Sequence, residues 1–207
     1  MGKVKIKKQS VWIDMTPMSD VMVLLLTFFM LTSTFVKNEA VKVNTPGSVS
    51  EIKVPETDVL SILVDKTGKI FLGLDKPADM EAVVTDMGSQ WGVSFNEKQM
   101  KNVRTAANIG VPMSDLATLL SKDETELNAY QQEKGIPTDS IDGGMSEFQR
   151  WVQATVDVMG LAGKDLKIAI KADESTPYKV VKKMMSELQD MNQNRYYLIT
   201  QLKKVED

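Results

Sequence analysis

The sequence predicts a single transmembrane α-helix followed by a small α+β domain that carries a helical insertion. Three observations predict it: an apolar run at 15–36 behind a lysine-rich start, a β-patterned pair of segments around a turn at 59–73, and a closing strand, helix, strand succession. With 207 residues the chain has room for one ordinary domain plus an appended segment.

Residues 1–14 carry four lysines, Lys3, Lys5, Lys7 and Lys8, against the single acid Asp14. A short lysine-rich flank stays on the cytoplasmic side of a membrane, so the apolar run reads as a span that leaves the rest of the chain outside. As a helix, 15–36 rises roughly 33 Å, enough for a hydrocarbon core of about 30 Å. A cleaved leader fits less well, because Pro17 and Asp20 interrupt the approach and no small-x-small site follows. Pro17 suits a first helical turn, with Thr16 as N-cap and Trp12 as an interfacial anchor.

Asp20 is the unusual residue of this span. A central Asp costs roughly 2.5 to 3.5 kcal/mol in hydrocarbon, less toward the ends, so its carboxylate calls for protein or water around it. At 100° per residue, Thr27 lies about 20° from Asp20 and Thr34 about 40°, forming one polar stripe. Each Thr has a plainer role available, a hydroxyl bond to its own helix backbone.

Beyond the span, 37–58 is rich in Pro, Gly and Ser and reads as a linker with a short strand at 41–43. The domain then occupies 59–207. V59-L-S-I-L-V, a turn with Gly68, and K69-I-F-L-G form a β-hairpin. L166-K-I-A-I-K-A alternates as a half-buried strand, Y196-Y-L-I-T is its partner, and the helix between them starts with Thr176 as N-cap and Pro177 at N1. That helix buries Val181, Met184, Met185 and Leu188, and short connections favour a right-handed βαβ unit. Between them, S121-K-D-E and S146-E-F-Q are capping boxes, and Gly135 and Gly160 are stops. Phe148, Trp151, Val152, Thr155, Val156 and Met159 make a one-faced apolar stripe, and 80–145 reads as a helical insertion.

Composition excludes several functions. There is no Cys and no His, which removes thiolate chemistry, His acid or base catalysis and the usual zinc and copper sites. No phosphate loop or serine nucleophile motif occurs, so no enzyme activity, metal or other cofactor is expected. The net charge of -3 argues against nucleic acid. Most of the fourteen methionines fit gap-filling, Trp91 and Trp151 fit a core, and Asp123, Glu124 and Glu126 fit a solvated helix start.

The run I13-D-M-T-P-M-S-D-V-M-V-L-L-L-T-F-F-M-L resembles the membrane signature of the ExbD/TolR family of biopolymer-transport proteins, and ExbD most closely. V41-K-V-N-T-P resembles the family's Val-x-Leu-Pro stretch, with Thr45 in place of Leu, and I170-K-A-D-E-S-T-P-Y-K-V-V-K-K-M-M-S-E-L resembles its Ala-Asp and following helix. The chain departs from the family in the long middle segment and at 191–194. The resemblance implies an inner-membrane protein with its N-terminus cytoplasmic and a periplasmic α/β domain. It implies a homodimer inside a ring of ExbB-like or TolQ-like subunits, Asp20 as the proton carrier, and a TonB-like or TolA-like periplasmic partner. A partner strand is expected at an open sheet edge, near Val41 and Val43 or near Tyr196 and Leu198. Left open are an ExbD or a TolR role, and a non-conducting anchor in which Asp20 only bonds a neighbouring helix.

Overall fold

Alternation of side chains along a strand assigns each residue of a hairpin to one face of the sheet, and the first strands show it. In the computed structural model, which describes residues 14–33, 41–48, 57–140 and 144–202, β2 (Val59–Val64) pairs antiparallel with β3 (Ile70–Leu74). Leu60, Ile62 and Val64 enter the main core with Ile70 and Leu72, whereas Leu63 and Phe71 face the other side. Gly68, at φ 88°, takes the left-handed turn position expected of it.

The chain divides into two units, 1–36 and 37–207. The first contains α1 (Thr16–Thr32). The second begins with β1 (Gly47–Ser48) and the hairpin, then runs through α2 (Pro77–Trp91), α3 (Glu97–Thr105), α4 (Met113–Leu120), α5 (Glu124–Glu133) and α6 (Glu147–Leu161). It closes with β4 (Lys167–Ala172), α7 (Tyr178–Asp190), β5 (Tyr196–Leu198) and β6 (Gln201–Leu202). The four-stranded sheet has the order β3-β2-β4-β5, with β4 parallel to both neighbours, so the expected strand, helix, strand unit is present. β1 and β6 form a separate parallel pair.

The helices bury one side of this sheet. Phe148, Trp151, Val152, Thr155 and Met159 of α6 are buried and Val156 is half-buried, as the stripe predicts. Met184 and Leu188 of α7 join them, with Val181 and Met185 at the margin. Ser146 caps α6 as its sequence signature requires: its Oγ accepts from Gln149 N–H at 3.1 Å, and Gln149 Oε1 accepts from Ser146 N–H at 3.0 Å.

Several expectations are corrected. Ser121 opens no capping box; it ends α4, donating to Ala117 O, while Asp123 precedes α5. Thr176 is not the cap of α7, because its hydroxyl reaches across to Asp65 O at 2.9 Å and Pro177 takes the cap position. Gly160 lies inside α6, and the left-handed residue after it is Gly163. Residues 41–43 form no strand; the linker strand is β1, because Val41 and Val43 are engaged by side-chain packing. Trp151 is core, and Trp91 is half-buried with the Arg150 guanidinium 5.4 Å from its ring.

The two long edges of the sheet are treated differently. Along β3, Leu72 exchanges hydrogen bonds with Ile109, at 2.8 and 2.7 Å, and Ile70 O accepts from Ile136 N–H at 2.9 Å. Segments before α4 and after α5 thus cover the β3 edge, which leaves β5 as the other terminal strand. Gly110 makes this approach feasible, since a Cβ there would overlap the Phe71 ring.

Gly110→Ala is expected to cost about 1–3 kcal/mol in urea unfolding of the detergent-solubilised chain. Gly160→Ala, in open space within α6, is expected to gain about 0.5–1 kcal/mol.

Candidate functional site

The N-terminal helix is organised by its first turn. Met15, rather than Thr16, takes the N-cap position, without a side-chain bond; just before it Asp14 Oδ1 accepts from the N–H and the hydroxyl of Thr16, which with Pro17 lies in the first turn. Asp20 follows one turn inside the helix. Among the described residues its carboxylate has no hydrogen-bond or ion-pair partner, and it is exposed.

Thr27 shares the Asp20 side of α1, but its hydroxyl donates to Leu24 O at 2.9 Å. Thr32, which the stripe reasoning missed, does the same to Phe28 O at 2.8 Å. Both threonines therefore satisfy themselves on their own helix, the plainer of the two roles open to them. Thr34 and Trp12 lie outside the described residues.

Every residue of α1 is exposed, including Leu24, Leu25, Leu26, Phe28, Phe29 and Leu31, so the helix is apolar all round and unburied. A helix of that kind requires lipid or protein against it. It has 17 residues, which rise about 25 Å. Among the described residues no helix is long and apolar enough to cross a membrane; of the expected span 15–36, the described helix covers Thr16–Thr32, and 34–36 lie outside the described residues.

The second candidate region is the linker and the last strands. Val41 is 8% exposed and packs on Leu63 and Phe71 with Val43 beside it, so these two residues cover the sheet face opposite the helices rather than offering an edge. Asn44 ties the linker to the loop after β4, donating N–H to Asp173 Oδ2 at 3.1 Å and accepting from Glu174 N–H at 2.9 Å. Farther on, Gln201 N–H donates to Pro46 O at 3.1 Å, leading into the β1–β6 pair. At the β5 edge, Tyr196 is half-buried and Leu198 is 54% exposed. Sequence reasoning missed Asp173 as a linker anchor, since its partner lies 129 residues away.

Electrostatics sharpen this contact. The N–H of Ser175 and then that of Asn44 hold the Asp173 carboxyl below the ordinary aspartate value. A lowered value means the contact is held above the usual carboxylate range and lost as pH falls. Among the described residues no three acidic side chains group as a metal site requires.

The description "Biopolymer transport protein ExbD/TolR" belongs to the family whose model matches residues 7–203. With nearly its whole length matched, the chain belongs to the ExbD/TolR family of biopolymer transport proteins. Members are transport accessory proteins, typically associated with the inner membrane, and generally work with ExbB or TolQ and with TonB or TolA. No curated protein and no solved structure matches the chain.

Val41→Asp is expected to speed hydrogen exchange at Glu174 and Gln201 roughly tenfold, the equivalent of about 1.4 kcal/mol of local stability, while Ile62 stays protected. Acidifying the unmodified protein is expected to speed exchange at Asn44, relative to intrinsic rates, as Asp173 protonates. Unaltered exchange at these amides in both experiments contradicts the docked linker.

Proposed function

We propose that the protein is the single-span subunit of a proton-motive-force-driven inner-membrane motor, of the ExbB/ExbD kind, that energises TonB-dependent transport at the outer membrane. The observation that carries this reading is Asp20, a carboxylate without a partner in the described residues, one turn inside an otherwise apolar helix of a chain belonging to this family. Its N-terminus lies in the cytoplasm, because four lysines precede the helix, and 37–207 lie in the periplasm. The hydrocarbon is spanned by 15–36, of which the described part is Thr16–Thr32.

On this reading Asp20 is the residue that carries the proton. One charge moved through 100 mV supplies about 2.3 kcal/mol, so a few protons per step drive substantial conformational work. Thr27 and Thr34 complete the polar side of the span, Thr27 by presenting small polar bulk and not as a relay, since its hydroxyl is already bonded.

Dimerisation and work inside a ring of ExbB-like subunits belong to the same reading, as does strand capture from a TonB-like protein at β5. Support for β5 comes from its terminal place in the sheet and the exposure of Leu198, while β3 is covered by the chain itself. We assign 80–145 as a helical insertion into the family's smaller domain. A TolR-like role in envelope maintenance uses the same parts. A non-conducting anchor is also compatible with the lone Asp20, and substitution separates it from the motor.

Asp20→Asn is expected to abolish proton-dependent outer-membrane uptake while copurification with the ring subunits persists. Uptake retained in Asp20→Asn but lost in Asp20→Leu points instead to the anchor. Because the chain has no Cys, Leu198→Cys gives a single reporter. Disulfide trapping there with a Cys-bearing periplasmic partner is expected, with Leu161→Cys silent; trapping only at residue 161 removes β5 as the docking edge.

A further inference from the structure

The exit of the helical segment 77–140 is held by one face of α7. Lys183 and Glu187, one turn apart, reach two described stretches, 137–140 and 144–146: Lys183 Nζ lies 2.8 Å from Asp139 Oδ1, and Glu187 Oε2 accepts from Ser146 Oγ at 2.6 Å. The two stretches also meet, through the bridge of Ser140 with Ser146 and the Phe148 N–H bond to Pro137 O at 3.2 Å. Ser146 is at once the cap of α6, so the Glu187 contact holds the start of that helix.

The two contacts are physically unlike. Asp139 is 94% exposed and Lys183 46%, so that pair is screened by solvent and holds weakly. Glu187 is 8% exposed, and its carboxylate meets a neutral hydroxyl where a charged one would need a cation. Among the described residues the charged groups around it are few. Lys183 on α7 is taken by Asp139, while Asp139 from 137–140 and Asp190 on α7 both disfavour a second negative charge. From α6, Glu147 turns its carboxylate to Met113 N–H at 3.0 Å.

We propose that Glu187 is a proton-sensitive clamp, which seats Ser146 and the start of α6 on α7 more tightly when its carboxyl is neutral than when it is charged. Neutral Glu187 keeps its contact with Ser146 Oγ without burying a charge, whereas ionisation leaves a desolvated charge with one weak partner. Burial accordingly raises its proton affinity above the ordinary glutamate value, only partly offset by Ser146 and Lys183. For such a raised group, the stabilisation is complete in acid and is lost as pH rises through the folded-state value. Acidification therefore tightens the Glu187–Ser146 contact, the opposite sign to the Asp173 contact.

The test uses the full chain in detergent, with carbon-detected carboxyl NMR and thermal unfolding between about pH 4 and 8, the range that brackets a raised glutamate. Expected are a Glu187 midpoint above the ordinary glutamate value, a melting temperature that falls as pH rises through it, and slower Phe148 exchange, relative to intrinsic rates, on the acid side. Glu187→Gln should flatten this part of the pH dependence and melt higher than the unmodified protein at neutral pH. Ser146→Ala should raise the Glu187 midpoint further, since its hydroxyl favours the ionised form. A Glu187 midpoint at or below the ordinary value overturns the proposal, as does an unchanged slope in Glu187→Gln. Should that variant fail to fold, the NMR midpoint of the unmodified protein decides.

Discussion

Parallel pairing of β2 with β4 is the contact on which the domain depends. Its register joins Val59 to Lys167 and Val64 to Ala172, segments more than a hundred residues apart, and places Ile62 beside Ile170 in the core. Closing a loop of that length costs only slightly more than closing a shorter one, because the entropy grows with the logarithm of length. That is why five helices fit between β3 and β4 without disturbing the pair, provided they bury their own apolar faces. They do so against α6 and one another, with Leu116, Leu119 and Leu120 fully buried.

Seating so much chain on a small sheet creates a polar problem, which residues 146–149 solve. Ser146 caps α6, Glu147 bonds the Met113 N–H at the start of α4, and Gln149 returns to Ser146 and reaches the Glu187 carbonyl. Three helices thus share one short segment, and each buried donor there meets an acceptor. Glu187, whose carboxylate accepts from the Ser146 hydroxyl, is where we propose that proton binding and packing are coupled.

The opposite face of the sheet is covered by the chain itself. Val41 fills the space over Leu63 and Phe71, and Asn44 uses both backbone polar groups on the loop after β4. α1, by contrast, exposes a mainly apolar surface with Asp20 in it. Such a surface calls for lipid or protein against it, in a family whose members generally work with ExbB or TolQ and with TonB or TolA.

Periodicity and turn chemistry in the sequence determined the hairpin, the β4–α7–β5 unit, the α6 stripe and the Ser146 cap, because each is a local pattern whose geometry follows from 3.6-residue or two-residue repeats. The apolar helix and the place of Asp20 within it were legible for the same reason. Tertiary structure decided what competes with local preference: Thr176 left its cap for Asp65 O, and Ser121 ended one helix instead of starting the next. It alone decided that 41–43 lie on a sheet face, that Ile109 covers the β3 edge, and that Asp173 and Glu187 meet partners far along the chain. Those outcomes depend on which surfaces meet after folding, and no repeat within a short window encodes that.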